Sequence, residues 1–317
     1  MTGVIAKRWT DNRSGFLARV LLPAGTGWLS RLICLLLICA TAGACAATAG
    51  SAAAMRAKYA SLEQQLKQNQ FKQPIVLVSA ETPNSLQGDI YAIVDFPFGA
   101  VNAGLSNPDH WCDVMLLHIN TKYCHAVAGL SGTTLRVNIG KKTPEALVDV
   151  ARVELNFSVA ATTPEYFEVM LYAQDGPLGT SDYRILLEAV ALTDTRTFLH
   201  LTYSYAMNFG ARLAMQTYLA TIGRGKVGFT VTGARADGQA DYVGGVRGLV
   251  ERNTMRYYLA IDSFLGAVGM APEAQLEHRL QSWFTAVERY PRQLHELNRA
   301  EYLEMKRAEH LRQQSLR

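Results

Sequence analysis

The sequence predicts an α+β fold built on a largely antiparallel sheet, and three observations carry that expectation. Ten short segments rich in Val, Ile, Tyr, Phe and Thr follow one another between turn residues. Only three helical patterns interrupt them, so the strands are too closely spaced for a sheet built on helical crossovers. The last of those helices is apolar most of the way round and needs cover on more than one side.

In chain order, "PIVLVSA" and "GDIYAIVDF" open the sheet, and a first helix is expected over residues 97 to about 105, ended by Ser106-Asn107-Pro108-Asp109. "VMLLHI", "TTLRVNIG", "ARVELNFSV", "YFEVMLYA", "YRILLEAVAL" and "TFLHLTYSY" read as further strands. A second helix, residues 209 to about 222, sets Leu213, Met215, Tyr218 and Leu219 among alanines. "KVGFTVTG" and "DYVGGVRGLV" are the last expected strands. The third helix is expected to start near Asn253 or Thr254, either a suitable N-cap, and to run to the Gly266/Gly269 region. At 100° per residue, Met255, Tyr258, Leu259 and Asp262 share one side of it, and Tyr257, Ile261, Phe264 and Leu265 another. A helix lying in the concave face of a curved sheet meets this demand for burial, as does one sandwiched against the tail.

Ahead of the sheet stands "WLSRLICLLLICATAGACAATAGSAAA", an apolar stretch behind a basic segment, with small residues after it. This is the pattern of a bacterial export signal. Ala42-Gly43-Ala44-Cys45 resembles the lipobox of bacterial lipoproteins and makes Cys45 a lipid-attachment candidate; Ala-x-Ala cleavage and an uncleaved anchor over residues 32–54 remain open alternatives. The segmentation is therefore a leader over 1–45, a tether and short polar helix over 46–73 with Leu62 and Leu66 four apart, a main domain over 74–269, and a helical tail over 270–317. Residues 1–44 hold five basic side chains (Lys7, Arg8, Arg13, Arg19, Arg31) against Asp11. Taking these from 31 basic and 27 acidic residues leaves 26 of each, so the net charge of +4 belongs to the leader and gives no support for a nucleic-acid partner.

Export to an oxidising compartment makes Cys112 and Cys124, the only cysteines beyond residue 45, a disulfide candidate, with two buried thiols as the alternative. Closing a loop of this size stabilises a fold by about 3 kcal/mol. His110, His118 and His125 lie nearby without compact ligand spacing, so no metal site is expected.

No catalytic signature is expected either. Gly223-Arg224-Gly225-Lys226-Val227-Gly228 satisfies G-x-G-x-x-G but follows a helix and leads into a strand, the reverse of the dinucleotide-binding context, and no cofactor is expected. His118 and His200 fall within apolar expected strands. Asp95, Asp113, Glu154 and Glu188 show no pairing in their spacing.

"GGVRGLVERNTMRYYLAIDSF" gathers Arg247, Glu251, Arg252 and Arg256 at the expected joint between the last strand and the third helix. Ion pairing across the joint and binding of an anionic head group are both open; arginine is a poor general base. In the tail, Leu276, Leu280, Trp283, Val287, Tyr290, Leu294 and Leu297 form a heptad-like seam, with a kink expected at Pro291. Beyond Ala300 the charges read as a solvated helix. The seam fits packing on its own domain, or a homo-oligomer or envelope partner.

Taken with the strand run and the closing apolar helix "NTMRYYLAIDSFLG", "IYAIVDFPFGAVNAGLSNPDHWCDV" resembles the START-like, helix-grip family of lipid- and small-molecule-binding domains over about residues 74–269. The resemblance implies a curved antiparallel sheet gripping a long C-terminal helix around an internal cavity. The helix at 209–225 and the tail are additions to that pattern. Trp111, His118, His200, Tyr203, Tyr205, Arg256, Tyr257 and Tyr258 are the ligand-pocket candidates. The expected function is binding of a lipid or other hydrophobic small molecule by an exported, periplasmic protein held to a bacterial membrane at its N-terminus. A cyclase- or hydrolase-type enzyme on the same scaffold, or an envelope assembly protein using the tail, are the alternatives.

Overall fold

The computed structural model describes residues 51–221 and 223–316. The leader, Cys45 and the start of the expected tether lie outside the described residues. Eight strands form one antiparallel sheet: β1 (Ile75–Glu81), β2 (Ser85–Val94), β3 (Thr121–Gly129), β4 (Gly132–Ile139), β5 (Ala151–Thr162), β6 (Tyr166–Asp175), β7 (Thr180–Thr193) and β8 (Arg196–Met207). Their order is β1-β2-β8-β7-β6-β5-β4-β3, so β1 and β3 remain edges and the sheet does not close. Strand alternation sorts the side chains. In β8, Leu199, Leu201, Tyr203 and Tyr205 are buried on the concave face, while Phe198, His200 and Thr202 take the other face.

The outer face is partly covered by helix α1 (Ala52–Lys67), whose Met55, Leu62 and Leu66 pack with Tyr166, Val190 and Phe198. Residues 52–54, expected as tether, are therefore helix. Between β2 and β3 come α2 (Phe98–Leu105) and α3 (Pro108–Leu117). The segment "VMLLHI", expected as a strand, belongs mostly to α3. Asn107 caps that helix and Pro108 fills its first turn, and the four consecutive buried residues Val114 to Leu117 hide the helical period. The strand that follows, β3, has too weak an alternation to be recognised. Cys112 of α3 and Cys124 of β3 form the expected disulfide, with Cα atoms 5.1 Å apart.

After β8 come α4 (Phe209–Ala220), two short strands β9 (Val231–Ala234) and β10 (Ala240–Tyr242) that pair only with each other, and the long helix α5 (Gly245–Leu265). Helix α5 starts eight residues before the expected position and takes in Arg247, Glu251 and Arg252, which the sequence places in or beside a strand. Tertiary contacts outweigh the strand propensity there. The Glu251 carboxylate, fully buried, accepts from the backbone N–H groups of Phe229 and Thr230 and from the hydroxyls of Ser79 and Thr230. These bonds pin α5 to β1 and to the loop before β9. Gly88 of β2 lets the helix approach the sheet, since a Cβ there would overlap the Thr254 hydroxyl.

The tail forms α6 (Pro272–Val287), α7 (Pro291–Leu294) and α8 (Arg299–Ser315), with the expected break at Pro291. Its seam is used inside the chain: Leu280, Trp283, Val287 and Leu294 are buried in the main core, and Trp283 Nε1 donates to Arg256 O at 3.2 Å. Leu276, Tyr290 and Leu297 of the seam are partly buried against the same core. Nor is α8 wholly solvated, because Tyr302, Leu303, Met305, Lys306, Glu309 and Gln313 are buried. Among the described residues no helix is long and apolar enough to cross a membrane.

Candidate functional site

Between the concave face of the sheet, α4 and α5 lies a cavity of about 450 Å³. Tyr183 of β7 and Tyr203 and Tyr205 of β8 form its aromatic wall: Tyr183 stacks on Tyr205 at 5.1 Å, and Tyr203 meets Tyr205 at 5.6 Å. Helix α4 supplies Ala211, Ala214, Met215 and Tyr218, and α5 supplies Leu249 and Asn253. The helix that departs from the family pattern is therefore one wall of the cavity. It is held lightly, with no fully buried side chain, and Arg212 anchors it to Glu81 and to the carbonyl of Pro83. Leu178, Phe209, Leu213 and Tyr218 leave apolar surface exposed on α4 and the adjoining turn.

The lining is apolar and phenolic, without a carboxylate or an imidazole among the described residues. Burial pushes the Tyr183, Tyr203 and Tyr205 phenols above their ordinary range, so they stay neutral hydrogen-bonding groups. Behind the wall, Tyr257 packs on Tyr203 at 5.2 Å and on His118 at 4.7 Å. Burial, together with Arg256, Lys306 and Lys142, holds His118 well below its ordinary pKa.

The structure brings together only some of the sequence candidates. Tyr203 and Tyr205 line the cavity; Tyr257, His118 and Arg256 form a layer behind it. Trp111 is a core side chain whose indole N–H donates to Leu105 O at 2.7 Å. Tyr258 is buried among other groups, including Asp262 and Tyr290. His118 caps the C-terminus of α3 instead of sitting in a strand. His200 does lie in a strand, but on the opposite face of the sheet from Tyr203. There its Nδ1 lies 2.8 Å from Glu188 and its Nε2 3.0 Å from Asp89, with Tyr91 stacked on the ring at 4.2 Å.

Tyr183, Tyr218 and Asn253 line the cavity without having been singled out. Tyr183 could have been found from the alternation Tyr183, Ile185, Leu187, Ala189, which puts it on the concave face. Tyr218 and Asn253 depend on how α4 and α5 are placed, for which the sequence holds no local signal. Among the described residues, no group of three His, Cys, Asp or Glu side chains is placed to hold a metal ion.

An open antiparallel sheet curved around a long helix is a helix-grip arrangement. The fold matches the resemblance. No family model and no curated protein matches the chain. Among solved structures it is similar to a conserved protein from Geobacillus kaustophilus, at 10% identity over 57% of this chain and 95% of that one, TM-score 0.34. A truncated norcoclaurine synthase from Thalictrum flavum matches at 13% identity over 45% of this chain and 91% of that one, TM-score 0.32. Human STARD10 matches at 8% identity over 53% and 75% of the two chains, TM-score 0.32.

Proposed function

We propose that the chain binds a lipid or other hydrophobic small molecule in the tyrosine-lined cavity and does so after export, in the periplasm, tethered to a bacterial membrane by its N-terminus. The observation that carries this reading is the cavity itself: about 450 Å³ of mostly apolar space under a lightly held helix. Each methylene buried there contributes about 0.8 kcal/mol, so an acyl chain gains affinity with every methylene it buries, without special polar chemistry. The neutral phenols and Asn253 supply a few polar contacts that orient the occupant. The Cys112–Cys124 disulfide fits an oxidising compartment. With no acid–base pair in the lining, binding is favoured over a cyclase- or hydrolase-type reaction.

Native mass spectrometry of the full-length chain, followed by extraction and lipid analysis, tests the reading. A stoichiometric hydrophobic occupant is expected, lost in Ala214→Trp, which fills the cavity. A chain that carries no occupant and takes up no fluorescent fatty-acyl probe overturns it.

A further inference from the structure

Around the inner half of α5, three cations converge on one carboxylate and a fourth lies beside them. Glu296, in the loop between α7 and α8, receives Arg256 Nη2 at 2.8 Å, Lys142 Nζ at 2.7 Å and Lys226 Nζ at 3.3 Å. Arg252, one turn before Arg256, has no carboxylate within ion-pair distance among the described residues; its Nη1 donates to Val227 O at 3.2 Å, beside Lys226. Both arginines are almost fully buried. Glu296 and Glu251 both act on Arg252, yet four cations outnumber the two carboxylates, and two of the four are buried guanidinium groups.

The donors are also incompletely used. Nε of Arg252 and Nε of Arg256 are buried without a hydrogen-bond partner. A guanidinium nitrogen can only donate, so both orphaned atoms are donors. A buried polar atom left unpaired in a native protein calls for an explanation, and two donors in one neighbourhood of excess positive charge share a single one.

We infer that Arg252, Arg256, Lys142 and Lys226 form an anion-binding site for an oxyanion of the phosphate or carboxylate type. Such a group supplies several acceptor oxygens and the missing negative charge, and guanidinium forks match its geometry. A neutral ligand would leave the charge unbalanced, and a cation would be repelled. Burial and Arg256 lower the Arg252 pKa to about 10, so it remains charged at neutral pH, while Arg256, Lys142 and Lys226 outweigh the effect of burial and hold Glu296 ionised. The site opens toward solvent at Lys142 and Lys226, whose side chains are 33% and 30% exposed. It also adjoins the cavity, because Asn253 lines the cavity and accepts from Arg256 Nη1 at 3.3 Å. The oxyanion is thus a free anion or the head group of the cavity's occupant; the second source rests on the proposed function.

The test titrates the full-length chain with inorganic phosphate at fixed ionic strength, using chloride as control, and compares lysophosphatidate with an uncharged monoacylglycerol of the same chain length. Saturable phosphate binding is expected, weakened about tenfold in Arg252→Gln and about threefold in Lys142→Gln or Lys226→Gln, and tightened in Glu296→Gln. The two lysines are solvent-accessible, so their variants fold. Preference for lysophosphatidate without a phosphate response, lost in Arg252→Gln, supports the head-group source. Phosphate binding with neither lipid bound keeps the anion site and removes the cavity reading. Equal binding of both lipids with no phosphate response does the reverse. Phosphate binding unchanged across the four variants overturns the site, and no binding of any probe overturns both readings.

Discussion

Two clusters of basic residues act on His118, one around Lys306 and one around Arg256, and they differ in one respect. Lys122 and Lys306, both fully buried, share Glu309: their Nζ atoms lie 3.1 and 2.8 Å from its carboxylate. Lys306 also donates to His118 O at 2.7 Å and Thr121 O at 2.8 Å. One excess charge is therefore spread over backbone carbonyls, and neither ammonium nitrogen is left without a partner. The Arg252–Arg256 cluster has more excess charge and leaves donors idle. Excess charge in a protein interior does not by itself mark a binding site; excess charge with unused donors does.

The comparison is broken most severely at Glu309. Glu309→Gln strips two buried ammonium groups of their shared carboxylate and is expected to destabilise the fold by about 3–5 kcal/mol in urea titrations. Burial already lowers the Lys306 pKa to about 8, so the variant loses least above that pH, where Lys306 can neutralise. A loss below about 1 kcal/mol at neutral pH would mean that the lysine cluster is no more structural than the arginine one. Close by, the paired change Cys112→Ser with Cys124→Ser removes the link from α3 to β3 that underlies the lysine cluster and is expected to cost about 3 kcal/mol. Glu296→Gln is expected to cost less, about 1–2 kcal/mol, because Lys142 and Lys226 can turn to water and Arg256 keeps its contact with Leu294 O at 3.5 Å.

The difference between these clusters was only half legible in the sequence. The strand run, the helices at 98–105 and 209–220, the break at Pro291 and the disulfide follow from local chemistry: turn residues, alternation, caps and cysteine number. Arg252 and Arg256 also stand out, as charges beside and inside an apolar helix. Their surroundings do not, because Lys142, Lys226 and Glu296 come from three separate loops and meet only in the folded chain. Glu309 and Lys306 were misread as solvated for the same reason: a helix with charges on every face shows its buried stripe only once β3 and α3 are in place. Arg247 and Glu251 were assigned near a strand because Val246, Val250 and the glycines favour neither state strongly, and the decision came from backbone N–H groups more than twenty residues away.

A third charged group, on the outer face of the sheet, sharpens the comparison by pH. His200 sits between Glu188 and Asp89, and both carboxylates take further bonds, Glu188 from Tyr166 OH at 2.8 Å and Asp89 from Thr202 Oγ1 at 2.6 Å. Burial opposes charge on His200, but the two carboxylates outweigh it and raise its pKa; the same bonds hold Asp89 and Glu188 below theirs. The imidazolium's contribution to stability is full below its unfolded pKa, roughly 6.5, and disappears as pH rises through the higher folded value. The carboxylates contribute above their unfolded values, roughly 4, and lose that contribution as pH falls through the lower folded ones. The group therefore stabilises the sheet most between roughly pH 4.5 and 6.5. His200→Gln keeps one hydrogen bond, removes the charge and is expected to cost about 1–2 kcal/mol at pH 5.5 but less at pH 8.5. A loss that is the same at both pH values would show that His200 is held neutral between its carboxylates and that the outer face carries unbalanced negative charge, the mirror image of the arginine cluster.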